Sequence, residues 1–194
     1  MYRRHLRAPS GSFFLFGMRG VGKSTWAREL KADHEISLLR ERSYQTFLAN
    51  PDVFRSELAA LDVGATVVVD EIQRLPNLLN EVHSAIEERR LRFILLGSSA
   101  RKLRRAGVNL LGGRASQRTM YPLLPTEMGT DYEIDQIMRW GSLPLIVASD
   151  DKKERLRAYV ETYLKEEIQA EAIVRNLPGF ARFMPVAALC HGQV

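Results

Sequence analysis

Eight residues near the start constrain the fold more than any other stretch: Gly17-Met18-Arg19-Gly20-Val21-Gly22-Lys23-Ser24. They fit the pattern G-x-x-x-x-G-K-[ST], between an apolar run at 12–16 and a helix-forming stretch at 24–31. Glycines at 17, 20 and 22 let the backbone curl so that successive N–H groups face inward and cradle phosphate oxygens. The helix that follows points the positive end of its dipole at the same place. Lys23 reaches the β- and γ-phosphates as a point charge. The Ser24 hydroxyl suits Mg2+, a hard cation that prefers oxygen ligands. Arg19, Val21 and Thr25 complete the set of positions expected to line the phosphates. A Gly-rich turn also arises by chance, but strand, lysine and hydroxyl in one register make chance a poor explanation.

A second motif, Val67-Val68-Val69-Asp70-Glu71, delivers an aspartate at the end of an apolar run, the edge where ligands bind in open α/β sheets. Asp70 there holds Mg2+ opposite Ser24, and Glu71 orients and deprotonates a water for attack on the γ-phosphate. Alone, an apolar run followed by Asp-Glu reads better as a strand-end salt bridge. Downstream of a phosphate loop the functional reading is the stronger one. A third segment, Leu95-Leu96-Gly97-Ser98-Ser99, ends in two hydroxyls. Ser98 is placed to sense the γ-phosphate or the attacking water, while Ser99 caps a helix at 100–105. Arg114, after Gly112-Gly113, precedes another strand. Three positions stay open for it: at its own nucleotide, at a neighbour's, or in solvent.

Around these motifs, strands expected at 12–16, 36–39, 65–69, 91–96 and 115–121 alternate with helices at 24–31, 51–61 and 78–89. Continuous apolar strands separated by helices argue for a parallel sheet covered on both faces, a three-layer αβα sandwich. After Pro122 and Pro125 the pattern turns helical, at 134–140, 151–174 and 181–190, with Pro178-Gly179 as a break. The expected division is a P-loop core at 1–130, a helical lid region at 131–175, and a linker or the start of a further domain at 176–194. The ending at His191-Gly192-Gln193-Val194 brings no clear closing element, which reads as a shortened chain.

Composition supports a folded chain: of 194 residues, 45% are hydrophobic and 26% charged. No apolar run nears the ~18 residues of a membrane span, and no signal-peptide segment follows the basic N-terminus. Cys190, the single cysteine, can form no internal disulfide, and the four histidines lack metal-ligand spacing. The expectation is a cytoplasmic protein without a membrane partner. Net charge is +5, but nine Lys or Arg (89, 90, 92, 101, 102, 104, 105, 114, 118) and no acid fall between 89 and 118. The rest, 19 basic against 23 acidic, carries −4. Such a block attracts nucleic acid or nucleotide phosphates, or is simply a solvated face balanced by acids nearby in space.

Taken in order, the phosphate loop, Val-Val-Val-Asp-Glu-Ile-Gln-Arg-Leu-Pro at 67–76, Leu-Gly-Ser-Ser-Ala-Arg at 96–101 and Gly-Gly-Arg…Tyr-Pro-Leu at 112–123 resemble AAA+-like bacterial and archaeal P-loop ATPases, near the STAND and archaeal ATPase branch. The resemblance covers most of 11–147. It implies Lys23 and Ser24 as Walker A, Asp70 and Glu71 as Walker B, Ser98 as sensor 1, and Arg114 at the place of an arginine finger. It also implies that Pro144, in Gly141-Ser142-Leu143-Pro144, packs near an adenine, although one extra residue separates the glycine from the proline. No basic residue is recognisable as a sensor 2, and the chain is expected to lack the C-terminal domain usual in these relatives.

The function expected is Mg2+-dependent ATP binding and hydrolysis, with ADP as product, switching a conformation or an assembly. Expected partners are a nucleic acid along 89–118, a protein, or further copies of the chain. The alternatives are a DNA-binding module with little turnover and a small P-loop kinase. A GTP switch is disfavoured because no Asn-Lys-x-Asp guanine signature occurs.

Overall fold

The computed structural model describes residues 2–105, 111–163 and 176–190. Five strands, β1 (Ser12–Phe16), β2 (His34–Ser37), β3 (Thr66–Asp70), β4 (Arg92–Gly97) and β5 (Ala115–Thr119), form one sheet in the order β2-β3-β4-β1-β5. Every pairing is parallel. The three central strands are the Phe- and Val-rich runs, and β1 is buried at all five positions. A strand covered on both faces has no position for a polar residue, which is why these segments read as continuous rather than alternating apolar runs.

Side chains still alternate between the two faces. Phe14 and Phe16 of β1, Val67 and Val69 of β3, and Phe93 and Leu95 of β4 share one core with three helices. These are α2 (Glu41–Ala49), α3 (Pro51–Ala59) and α4 (Leu78–Arg89), which contribute Phe47, Phe54, Leu78 and Val82 among others. Phe13 points the other way, its ring 6.2 Å edge-on from Trp26 of α1 (Lys23–Glu29). Helices therefore flank both faces of a parallel sheet, the α/β sandwich the strand pattern implies.

Helix α2 and strand β2 are among the elements that differ from the sequence expectation. Helix α2 was not foreseen: its N-cap, Arg40, makes no side-chain cap, and only Phe47 of its nine residues is buried. Tertiary contact secures it, since the Arg74 guanidinium lies 4.2 Å over the Tyr44 ring. Strand β2 sits two residues earlier than 36–39, because His34 pairs with Val67 and Ser37 with Asp70. As an edge strand it tolerates polar His34 and Glu35, so its apolar residues alone misplace it. Helix α3 begins as its sequence suggests, with Pro51 in its first turn and Asn50 Oδ1 accepting from the Asp52 N–H at 3.0 Å.

The chain divides into two compact units, Met1–Glu133 with Ser142–Pro144, and Ile134–Gly141 with Leu145–Val194. The first contains α5 (Ala100–Arg105) and α6 (Pro125–Met128) as well as the sheet. The second carries α7 (Ile134–Trp140), most of α8 (Pro144–Val147), α9 (Lys152–Tyr163) and α10 (Leu177–Leu189). Pro178-Gly179 opens α10 rather than breaking the chain: Asn176 Oδ1 accepts from the Gly179 N–H at 2.9 Å, and Pro178 needs no donor in a first turn. Of the helix expected at 151–174, the part beyond Tyr163 lies outside the described residues. Among the described residues no helix is long and apolar enough to cross a membrane.

Phe93 is fully buried at the centre of the sheet. Phe93→Ala should destabilise the chain by about 3–5 kcal/mol, read as a lower urea midpoint with unchanged slope. A loss under about 1 kcal/mol would mean that the centre of the sheet is not close-packed.

Candidate functional site

Parallel register brings residues distant in sequence to one edge of the sheet. Phe16 is level with Gly97, Leu15 with Leu96, Val69 with Leu95 and Ser37 with Asp70. The segments that leave the C-terminal ends of β1, β3 and β4 are therefore neighbours: residues 17–24, 70–73 and 98–99.

The loop after β1 takes the shape its glycines permit. Gly20 has φ 77° and Gly22, the N-cap of α1, φ 98°, both in the left-handed region. Gly17 serves a different purpose: a Cβ there would come to 2.5 Å from the Met120 carbonyl oxygen. Val21 is fully buried and anchors the loop from inside. Lys23 is buried, its Nζ donating to the Gly17 carbonyl at 2.6 Å and to that of Met18 at 3.2 Å. Ser24 Oγ donates to Asp70 Oδ2 at 2.8 Å. Thr25 is half-buried on the first turn of α1, and Arg19 is exposed at the loop's outer side. A cavity of about 340 Å³ opens beside Ser24 and Asp70, lined further by Arg28, Glu35, Ser37 and Arg40.

Glu71 follows Asp70 with φ 60° and ψ 41°, a left-handed conformation unusual for a residue with a side chain. The 3-10 turn Ile72–Arg74 comes next, and in it Gln73 Nε2 donates both to Glu71 Oε2 and, at 3.3 Å, to Ser98 Oγ. The structure thus brings Lys23, Ser24, Asp70, Glu71 and Ser98 to one place. Ser99 Oγ accepts from the Arg101 N–H at 3.1 Å, the cap expected for α5.

Two further residues contribute without a sequence motif to mark them. Gln73 carries no motif of its own. Arg4 lies in a segment that reads as a basic tail, yet its side chain and that of Glu127 are only 10% and 3% exposed, with Nε 3.3 Å from Oε1. Arg4 also donates to the Val21 carbonyl in the loop at 3.4 Å and to the Tyr121 carbonyl. Glu127 in turn accepts from the N–H groups of His5 at 2.7 Å and Leu124 at 3.1 Å. A capping pattern of an acid three residues after the N-cap was the available signal for Glu127. Arg4 offered none.

Arg114 is not brought to the loop. It immediately precedes β5, whose Ala115 is level with Ser12, so it lies at the opposite edge of the sheet. It is ion-paired there with Glu87 of α4. The basic block divides likewise. Arg92 donates to the Pro9 carbonyl at 2.8 Å, Arg89 to that of Leu61, and both lie below the strands, whereas Arg101 follows the upper end of β4. Six residues of strand, about 20 Å, separate Arg89 and Arg92 from Arg101. Residues 106–110 lie outside the described residues. Two residues before Pro144, the Ser142 carbonyl accepts from the Leu123 N–H at 2.8 Å, four residues beyond β5.

A glycine-shaped loop with a lysine and serine, facing a strand-end aspartate on a parallel sheet, defines a P-loop nucleotide-binding domain. A family described as "AAA domain" matches residues 10–129, well over half of the chain, and the chain belongs to that family. Among solved structures, the Aeropyrum pernix ORC1 protein, in a structure described as a complex with DNA, aligns at 13% identity and a TM-score of 0.46. That alignment covers 88% of this chain and 56% of the other, so this chain spans a little over half of that protein's length. Among proteins of curated function, no sequence match is found.

The Arg114 guanidinium donates a hydrogen bond to the Glu87 carboxyl and holds its pKa below the ordinary carboxylate range. A depressed folded value means that the pair stabilises above the ordinary carboxylate range, and that this fades as pH falls through the folded value. Arg114→Ala should return Glu87 to an ordinary titration in NMR while leaving ATP affinity of the isolated chain unchanged. An unmoved Glu87 titration would show that the pair does not form in solution.

Proposed function

We propose that the chain binds ATP with Mg2+ and hydrolyses it to ADP and phosphate, with the loop as the phosphate cradle. The observation that carries the reading is the convergence of Ser24, Asp70, Glu71 and Ser98 at one sheet edge beside a buried Lys23. Membership of the AAA domain family supports nucleotide binding independently.

Each residue has work of a stated kind. Backbone N–H groups of residues 17–24 and the N-terminus of α1 hold the β-phosphate region, and Lys23 exchanges its two carbonyl partners for phosphate oxygens. Ser24 and Asp70 suit Mg2+: two hard oxygens, 2.8 Å apart and hydrogen-bonded to each other, converge on one point. Among the described residues there is no cluster of three or more His, Cys, Asp or Glu able to hold a metal by itself. That agrees with an ion completed by water and phosphate oxygens, as Mg2+ prefers. When bound, the ion neutralises charge on the β- and γ-phosphates.

Glu71 takes a proton from water as it attacks the γ-phosphate, and Ser98 donates its hydroxyl toward the γ-phosphate or that water. An acid next to the metal-side aspartate favours water as the acceptor over the hydroxyl of a second substrate. Arg19, Val21 and Thr25 shape the phosphate cradle, and Pro144 packs near the base.

Lys23→Ala should weaken binding of a fluorescent ADP or ATP analogue by at least about 100-fold, since a charge-assisted contact to phosphate is worth several kcal/mol in a desolvated site. Glu71→Gln should bind ATP with near-normal affinity and lose at least about 100-fold in turnover, the usual reach of a general base. Equal turnover in Glu71→Gln and wild type would remove Glu71 from the chemistry. Undiminished binding in Lys23→Ala would remove the loop as the phosphate site.

A further inference from the structure

Gln73 belongs to no motif, yet its side chain is buried at this edge of the sheet. Only 9% of it is exposed. Its Nε2 bridges the Glu71 carboxylate and the Ser98 hydroxyl. Its Oε1 is buried and accepts no hydrogen bond from the described residues. Chemistry dictates this orientation, because an ionised carboxylate only accepts and the donor end of the amide has to face it. The carbonyl end is thereby turned onto Gly97, where a methyl group would approach Oε1 to 2.6 Å. Buried polar atoms are nearly always paired, and an exception calls for a physical reason. The bridge on the other side of the amide supplies one.

We infer that Gln73 is a positioning residue for hydrolysis: it ties the Glu71 carboxylate to Ser98, so that the base at the end of β3 and the hydroxyl at the end of β4 act as one unit. This rests on the hydrolysis reading above. Glu71 leaves β3 through a left-handed turn, so its side chain is not carried by a regular strand or helix. A carboxylate with free torsions spends little of its time aligned with an attacking water, and misplacement by about 1 Å can cost 100-fold in rate. The amide removes that freedom. It also explains why position 97 is glycine: any side chain there displaces the amide that Glu71 leans on. Gln73 touches no reacting atom, so its loss acts on kcat and not on nucleotide affinity.

The test uses the full chain and four variants: Gln73→Ala, the near-isosteric Gln73→Met, Gly97→Ala and the Gln73→Ala/Gly97→Ala double. Steady-state Mg-ATP turnover is measured beside the Kd for a fluorescent ADP analogue and the melting temperature. Both Gln73 variants should lose about 10- to 100-fold in kcat, with KM and Kd within about two-fold of wild type. Gly97→Ala should show a similar loss by pushing the amide aside. In the double variant the added methyl meets no amide, so its turnover should match Gln73→Ala rather than multiply the two losses.

Turnover intact in Gln73→Ala and Gln73→Met but abolished in Glu71→Gln overturns this inference alone. Multiplied losses in the double variant overturn it as well, as does a rise in Kd with a fall in melting temperature that accounts for the lost rate. A wild-type chain that binds ATP without turning it over overturns the hydrolysis reading, and this inference with it.

Discussion

Parallel insertion of β4 between β1 and β3 is the constraint on which the rest of the structure depends. It brings the ends of three strands level, Phe16 with Gly97 and Val69 with Leu95, although the segments lie tens of residues apart. An antiparallel partner in any of these places would carry its terminal residues to the opposite edge. Loop, aspartate, glutamate and serine meet only because every crossover runs in the same direction. The two-sided core enforces that arrangement: Phe13 and Phe14 are both fully buried on opposite faces, so neither face can be uncovered without exposing an aromatic ring. Each such burial stabilises by about 1.5–3 kcal/mol.

That stability supports local costs at the strand-end edge. A left-handed Glu71 costs about 1–3 kcal/mol, and the unpaired Gln73 oxygen about the same. Lys23 is held in a buried position against two carbonyls. These three lie close to the end of the phosphate loop. Membership of the AAA domain family supports nucleotide binding separately from these features.

Much of this was legible in the sequence because the relevant signals are local. Phosphate loop, apolar run with Asp-Glu, and the Gly-Ser-Ser strand end each announce themselves within eight residues, and their order along an α/β pattern fixes which edge they share. What could not be read was held by contacts across long separations. Arg4 meets Tyr121 and Glu127, more than a hundred residues away, and looked like part of a basic tail. Helix α2 is held by Phe47 against Phe54 and by Arg74 over Tyr44, not by a side-chain cap. The basic block is the converse case: Arg92 and Arg101 are neighbours in the charge run, yet they sit at opposite ends of β4.

A loop of three glycines has more backbone freedom to lose than any other segment of its length, so its shape needs support from outside. The structure provides it on three sides. Val21 is sunk into the core, Gly17 presses against the Met120 carbonyl after β5, and Arg4 holds the Val21 carbonyl from the N-terminal segment. The last of these is the most consequential, because the Arg4–Glu127 pair is almost wholly buried and braced by two further N–H donors. Breaking a pair of that kind leaves one uncompensated charge inside, typically at a cost of about 3–5 kcal/mol. The ends of the Met1–Glu133 stretch therefore close on each other across the phosphate loop. The loop's geometry is a property of that whole unit rather than of the eight residues that spell the motif.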